Sequence, residues 1–200
     1  MSKKLLVEYT TFEVTSQAIN ESLSKNDGRL IVNGVLQRAE SKNQNGRIYP
    51  KETLMREATK YSDGFIKEKR ALGELDHPDS SVVNLNNVSH NILGMTWNGD
   101  DLIGTVEVLG TPAGNILKEL FKSGIRLGIS SRGMGSVKEV VTEGEDTLEV
   151  QPDFELIAFD FVSNPSTHGA FLSPVNEGKQ RKVDKYVGVN KIITDIIKEY

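Results

Sequence analysis

Two hundred residues with 37% hydrophobic and 26% charged side chains fit one ordinary globular domain, or one domain with tails, large enough to bury a core. The absence of cysteine excludes disulfides, thiolate metal sites and a cysteine nucleophile. A formal charge of −4 and a pI near 5.5 speak against an electrostatic nucleic-acid binder, and no apolar run is long enough to span a bilayer.

The first 27 residues carry weak patterns. Leu5, Leu6 and Val7 suggest a short strand, while Ala18, Ile19 and Leu23 have helical spacing in a polar setting. Glu8 interrupts the apolar run behind Lys3 and Lys4, so this is not a signal peptide. Residues 1–27 read as a loosely held extension. From Gly28, Leu30, Val32, Val35 and Leu36 suggest a strand with Asn33-Gly34 as a turn or bulge. The cluster 43–47 is a turn, and Pro50 opens a helix with Leu54, Met55, Ala58 and Tyr61 on one face, stopping near Asp63-Gly64.

The short segment 71–78 (Ala-Leu-Gly-Glu-Leu-Asp-His-Pro) and a polar loop lead to a hairpin, Ile92 to Trp97 and Leu102 to Val108, turning at Asn98-Gly99-Asp100. Pro112 opens a helix whose stripe is Ile116, Leu117, Leu120 and Phe121, ended by Gly124. Leu127, Ile129 and Ser131 then alternate with Gly128 and Ser130 as a half-buried strand, which runs into a glycine-rich turn at Arg132–Gly135. Ser136 to Val141 and Thr147 to Val150 form another hairpin. Phe154 to Val162 is a strand covered on both faces, broken at Asn164-Pro165. Residues 176–186 are a charged linker, and Ile192, Ile193, Ile196 and Ile197 give the end of the chain an amphipathic face. The sum is an α+β fold, a mostly antiparallel β core with two or three helices.

Chemistry centres on a few residues. A serine at the end of an apolar strand, before freely turning backbone, offers a nucleophile and N–H donors for an oxyanion. Of the three histidines, His77 is the best fixed, between Asp76 and Pro78, and suits a general base. Asp160 interrupts the apolar run 156–162, where a carboxylate is costly unless it is paired, by orienting a histidine or by a buried backbone or arginine contact. His168 is the rival third member, and His90 reads as a surface residue. Glu74, Asp76 and His77 do not have a spacing that specifies a metal, and Gly133-Met-Gly135 lacks the lysine and spacing of a phosphate loop.

Four pieces in order, over residues 30–170, carry a resemblance: Asn45-Gly-Arg-Ile-Tyr-Pro50, Gly73-Glu-Leu-Asp-His-Pro78, Gly128-Ile-Ser-Ser-Arg-Gly-Met-Gly-Ser136 and Phe161-Val-Ser-Asn-Pro165. The chain resembles the prohead (capsid-maturation) serine proteases of tailed bacteriophages. That resemblance implies a β-barrel-like core wrapped by helices, similar to the herpesvirus assemblins. Residues 28–175 read as the protease domain, and 176–200 as a charged linker with an amphipathic helix or tail that covers the core, docks a partner or is removed. It implies His77 as base and Ser131 as nucleophile, with Ser130 the alternative, because related enzymes place one residue between nucleophile and glycine. The herpesvirus enzymes use a second histidine as the third member; here Asp160, preferred to His168, departs from that pattern. By analogy Arg132 or Arg126, with the backbone near Gly133, gives oxyanion support. No cofactor or metal is implied.

The expected substrates are phage scaffold, core and major capsid proteins inside the assembling prohead in the host cytoplasm, cleaved after Glu with an aliphatic residue two positions earlier. Leu6-Val7-Glu8 and Ile197-Lys198-Glu199 fit that pattern, so self-trimming is expected at one or both. A homo-oligomer is expected; a nucleic-acid or membrane partner is not. The competing reading is a non-catalytic capsid-assembly module on the same fold.

Overall fold

The computed structural model describes residues 3–163 apart from Glu13, Asp79 and Glu143. His168, the linker 176–186, the amphipathic end and Glu199 lie outside the described residues.

Among the described residues, ten strands and three α-helices make the fold. The chain opens with β1 (Lys4–Phe12) and α1 (Ser16–Lys25), the latter capped by Thr15 Oγ1 accepting from Ala18 N–H. Then come β2 (Leu30–Arg38), β3 (Arg47–Ile48), α2 (Lys51–Tyr61) after Pro50, β4 (Leu72–Glu74), β5 (Val88–Asn98) and β6 (Asp101–Val108). The chain continues through α3 (Pro112–Lys122), β7 (Leu127–Gly135), β8 (Val137–Thr142), β9 (Glu145–Val150) and β10 (Glu155–Val162).

Three sheets form, in the orders β1-β7-β10, β2-β6-β5-β4 and β3-β9-β8, antiparallel except for the β3–β9 pair. Leu75 bridges to Phe161 beyond β4, and Asp76 N–H donates to Phe161 O at 2.8 Å, so the first two sheets follow one another around the core. In the circuit β1-β7-β10-β4-β5-β6-β2, β1 and β2 belong to different sheets, and between them the Phe12 ring lies against Gly34: a Cβ at that glycine would come within 2.4 Å of it. Inside, Phe161 takes Phe12 and Phe121 edge-on at 5.1 and 5.4 Å, and Leu127 and Ile129 of β7 join them.

Several expectations change. The N-terminal residues are not loosely held: β1 pairs with β7 without a break from Lys4↔Gly135 to Phe12↔Leu127, and Leu6 and Phe12 are core. β2 runs through Asn33-Gly34, and its irregularity falls between Val35 and Gln37. Arg132–Gly135 is not a turn but the second half of β7. Met55 and Ile116 are exposed, because the buried faces of their helices are set by Leu54, Ala58 and Tyr61 and by Ala113, Leu117 and Phe121. Both hairpins form, and Gly99 takes the left-handed φ of +58° that its turn requires.

Glu8 explains how β1 is held. Its carboxylate is 4% exposed and accepts from Arg47 Nη1 at 2.6 Å, Tyr49 Oη at 3.0 Å, Asn45 Nδ2 at 3.1 Å and Asn43 Nδ2. Burial nevertheless pushes its carboxyl above the usual range. Asn45 and Arg47 also donate to Val7 O, so the turn 43–47 caps the outer edge of β1. Self-cleavage after Glu8 would have to break this strand out of the sheet. Glu8→Ala strands four donors and is expected to lower unfolding free energy by about 2 kcal/mol. Glu8→Gln, which keeps an acceptor, should lose less than half of that in urea denaturation.

Candidate active site

The end of β4 places the histidine. Glu74 N–H donates to Asp160 Oδ1 at 3.0 Å, tying β4 to β10 at the carboxylate. Asp76 then takes a left-handed backbone, φ +69°, which Asp tolerates better than most residues, and its Oδ1 accepts from His77 N–H at 2.9 Å. This kink turns His77 back, so that its Nδ1–H donates to Asp160 Oδ2 at 3.1 Å. The carboxylate only accepts, which fixes the neutral tautomer and leaves Nε2 as the basic atom. His77 Nε2 is buried and makes no hydrogen bond.

Asp160 is 0% exposed and so is Arg132, whose guanidinium lies between two carboxylates. Arg132 Nη2 donates to Asp160 Oδ1 and to Glu74 Oε1, both at 3.1 Å, its Nε lies 2.9 Å from Asp160 Oδ2, and Nη1 donates to Ser80 O at 2.7 Å. Glu74 Oε1 also accepts from Asn84 N–H at 3.0 Å. The loop after His77 is therefore fastened at Ser80 and at Asn84 to the same buried charge cluster.

The two serines part company. Neighbouring residues of a strand face opposite ways. Ser130 is cross-strand from Tyr9 and Asp160, and it lines a cavity of about 210 Å³ with Val7, Tyr9, Asp76, His77 and Val162. Ser131 is cross-strand from Glu8 and Phe159, on the row of Leu127 and Ile129. That row is the core face, so Ser131 points away from His77. Both hydroxyls are buried without a partner, but Ser130 alone shares a cavity with the unpartnered Nε2.

Of the residues expected to hold an oxyanion, Arg132 is committed to Glu74, Asp160 and Ser80. Gly133 is laddered between Leu6 and Leu156 under the Phe154 ring, and Arg126 precedes β7 outside the cavity lining. Among the described residues no group of three or more acidic or histidine side chains is arranged to hold a metal.

His90, expected at the surface, is 0% exposed. Its Nε2 donates to Phe159 O at 3.0 Å, the residue before Asp160, its Nδ1 accepts from Ser89 Oγ at 2.9 Å, and its ring meets Phe161 edge-on at 4.7 Å. Gly73 makes room for it: a Cβ there would stand 2.3 Å from Nε2. A run of buried residues at the start of β5 hides it from pattern reading, since both faces of that strand end are covered.

Three comparisons with known proteins agree with one another. Residues 11–180 match the family described as "Prohead core protein serine protease". This chain belongs to that family. The prohead core protein protease of Enterobacteria phage T4 is 31% identical over 160 residues, 78% of this chain and 74% of that protein. The structure of the bacteriophage T4 capsid assembly protease superposes with a TM-score of 0.69 at 26% identity, over 82% of this chain and 99% of that one. The α+β fold with mostly antiparallel sheets agrees with that neighbour. As a member of the prohead core protease family the chain is a protease of phage capsid assembly.

Burial lowers the His90 pKa from 6.5 to about 4, against the opposing pull of Asp160 and Phe159 O. Between those values the unfolded chain binds a proton that the folded protein refuses, so stability is present above pH 6.5 and falls as pH drops towards 4. From pH 7.5 to 5 this residue should account for about 2 kcal/mol of lost unfolding free energy. Urea titrations of wild type and His90→Gln at the two pH values should differ by that amount, the variant being the flatter of the two.

Proposed function

We propose that the chain is a serine endopeptidase of phage capsid maturation in which Ser130 is the nucleophile, His77 the general base and Asp160 the carboxylate that orients it. One observation carries the reading: the unpartnered, buried Nε2 of His77 and the unpartnered, buried Oγ of Ser130 line one small cavity, while Nδ1 is held by Asp160. Ser130 replaces Ser131, the residue the motif spacing favoured.

Ser130 Oγ attacks the scissile carbonyl as its proton passes to His77 Nε2. Asp160 stabilises the imidazolium through Nδ1–H, and Arg132 and the Glu74 N–H keep the carboxylate aimed. His77 returns the proton to the leaving amine, and a water deprotonated by His77 then hydrolyses the acyl-enzyme. The substrates are core, scaffold and capsid proteins of the assembling prohead. This follows from the likeness to the phage T4 capsid assembly protease. The motif resemblance supports cleavage after Glu, with self-trimming at Ile197-Lys198-Glu199.

Mass spectrometry of wild type, His77→Ala, Ser130→Ala and Ser131→Ala, incubated with a peptide containing Ile-Lys-Glu, tests the assignment. Ser130→Ala and His77→Ala should lose about 10³-fold or more in cleavage after Glu, and Ser131→Ala should keep it. Loss confined to Ser131→Ala and His77→Ala would move the nucleophile by one residue. Unchanged cleavage in every variant would remove the serine mechanism, and none by wild type would favour the assembly-module reading.

A further inference from the structure

Acyl transfer through Ser130 places negative charge on a carbonyl oxygen, and that oxygen needs a donor already aimed into the cavity. β7 is the central strand of its sheet, laddered on both sides by β1 and β10. Of the cavity's other polar groups, Asp76 already takes the His77 N–H, His77 is the base, and Ser163 is an exposed residue beyond the end of β10.

The remaining strand is β1. Tyr9 is the cross-strand partner of Ser130 and lines the same cavity. Its ring leans against Gly128, two residues before Ser130 on the same face of β7. A Cβ at Gly128 would be 1.8 Å from two ring carbons and 2.0 Å from the hydroxyl oxygen, so only glycine admits the ring there. The hydroxyl thus lies one step along the Ser130 row, where same-face positions are about 7 Å apart. That gap leaves room for a carbonyl between Oγ and the phenol. Among the described residues the Tyr9 hydroxyl has no hydrogen-bond partner, and half-burial raises its pKa above the ordinary 10, so it stays a neutral donor.

We propose that the Tyr9 hydroxyl donates the hydrogen bond that stabilises the oxyanion formed when Ser130 attacks, an inference that rests on the Ser130–His77–Asp160 reading. The N-terminal strand is then part of the catalytic apparatus.

A fluorophosphonate probe tests this without a known substrate. Ser130 Oγ forms a bond to phosphorus, fluoride leaves with the P–F electrons, and the hydroxyl proton goes to His77. The phosphoryl oxygen gains charge as the acyl oxygen would. Labelling rates, with the modified residue located by mass spectrometry, are compared for wild type and Tyr9→Phe, beside kcat and KM on the Ile-Lys-Glu peptide and the urea midpoint. Tyr9→Phe keeps the ring on Gly128, so the midpoint should not move, while labelling and kcat fall about 10²-fold and KM stays within about threefold. Equal rates, or a change in KM alone, would overturn the role of Tyr9 and leave the site intact. A lowered midpoint would overturn the premise that the hydroxyl is unpartnered. Wild type labelled at Ser131, or nowhere, would instead overturn the site, and Tyr9 with it.

Discussion

Arg132 is the charge on which this fold turns. A guanidinium with no exposed surface is tolerable only beside ionic partners, and two carboxylates, Glu74 and Asp160, surround it. They come from β4 and β10, while Arg132 belongs to β7, so one cation draws together three strands of two sheets. Ser80 adds the loop that follows His77. Replacing the cluster with apolar groups would cost little in packing, but it would remove what aims Asp160. Under the proposed Ser130–His77–Asp160 reading, aiming that carboxylate accounts for charge at this depth.

Much of this was legible in the chain. Asp160 stood out because it breaks a continuous apolar run, and a carboxylate there demands a partner. His77 stood out because Pro78 fixes the backbone behind it. What strand periodicity could not supply was which row of β7 faces the cavity. Leu127 and Ile129 marked one row as apolar, and Ser131 shares it; that row is the core. The opposite row, Gly128, Ser130 and Arg132, is buried too, beneath β1 residues and the His77 loop. A strand buried on both faces carries no hydropathy signal to separate its cavity-lining face from its core face.

The full length and the anchoring of the N-terminal strand were missed for a related reason. Leu6, Glu8 and Phe12 share its inner face, and an acidic residue at a buried position breaks the alternation that would have announced a strand. The missing information lay 35 to 41 residues on, in Asn43, Asn45, Arg47 and Tyr49, which make that glutamate affordable. His90 is the same case: its burial depends on Gly73 and on Phe159 O, neither of them local.

The glycines of β7 have a different purpose from the turn they suggest. Gly133 faces the Phe154 ring, where a Cβ would approach to 2.4 Å, Gly135 lies against the backbone of the same residue, and Gly128 receives Tyr9. None of the three has a positive φ, so none is needed for backbone freedom. They are places where aromatic side chains press onto a central strand, two against the approach to β10 and one beside Ser130. A motif of Gly-x-Ser-Ser-Arg-Gly-x-Gly therefore reads best as a packing code: close contact at its ends, with the serine and the buried arginine on one row between. On that reading the side chain that fills the space over Gly128 belongs to the site as much as the residues within the motif.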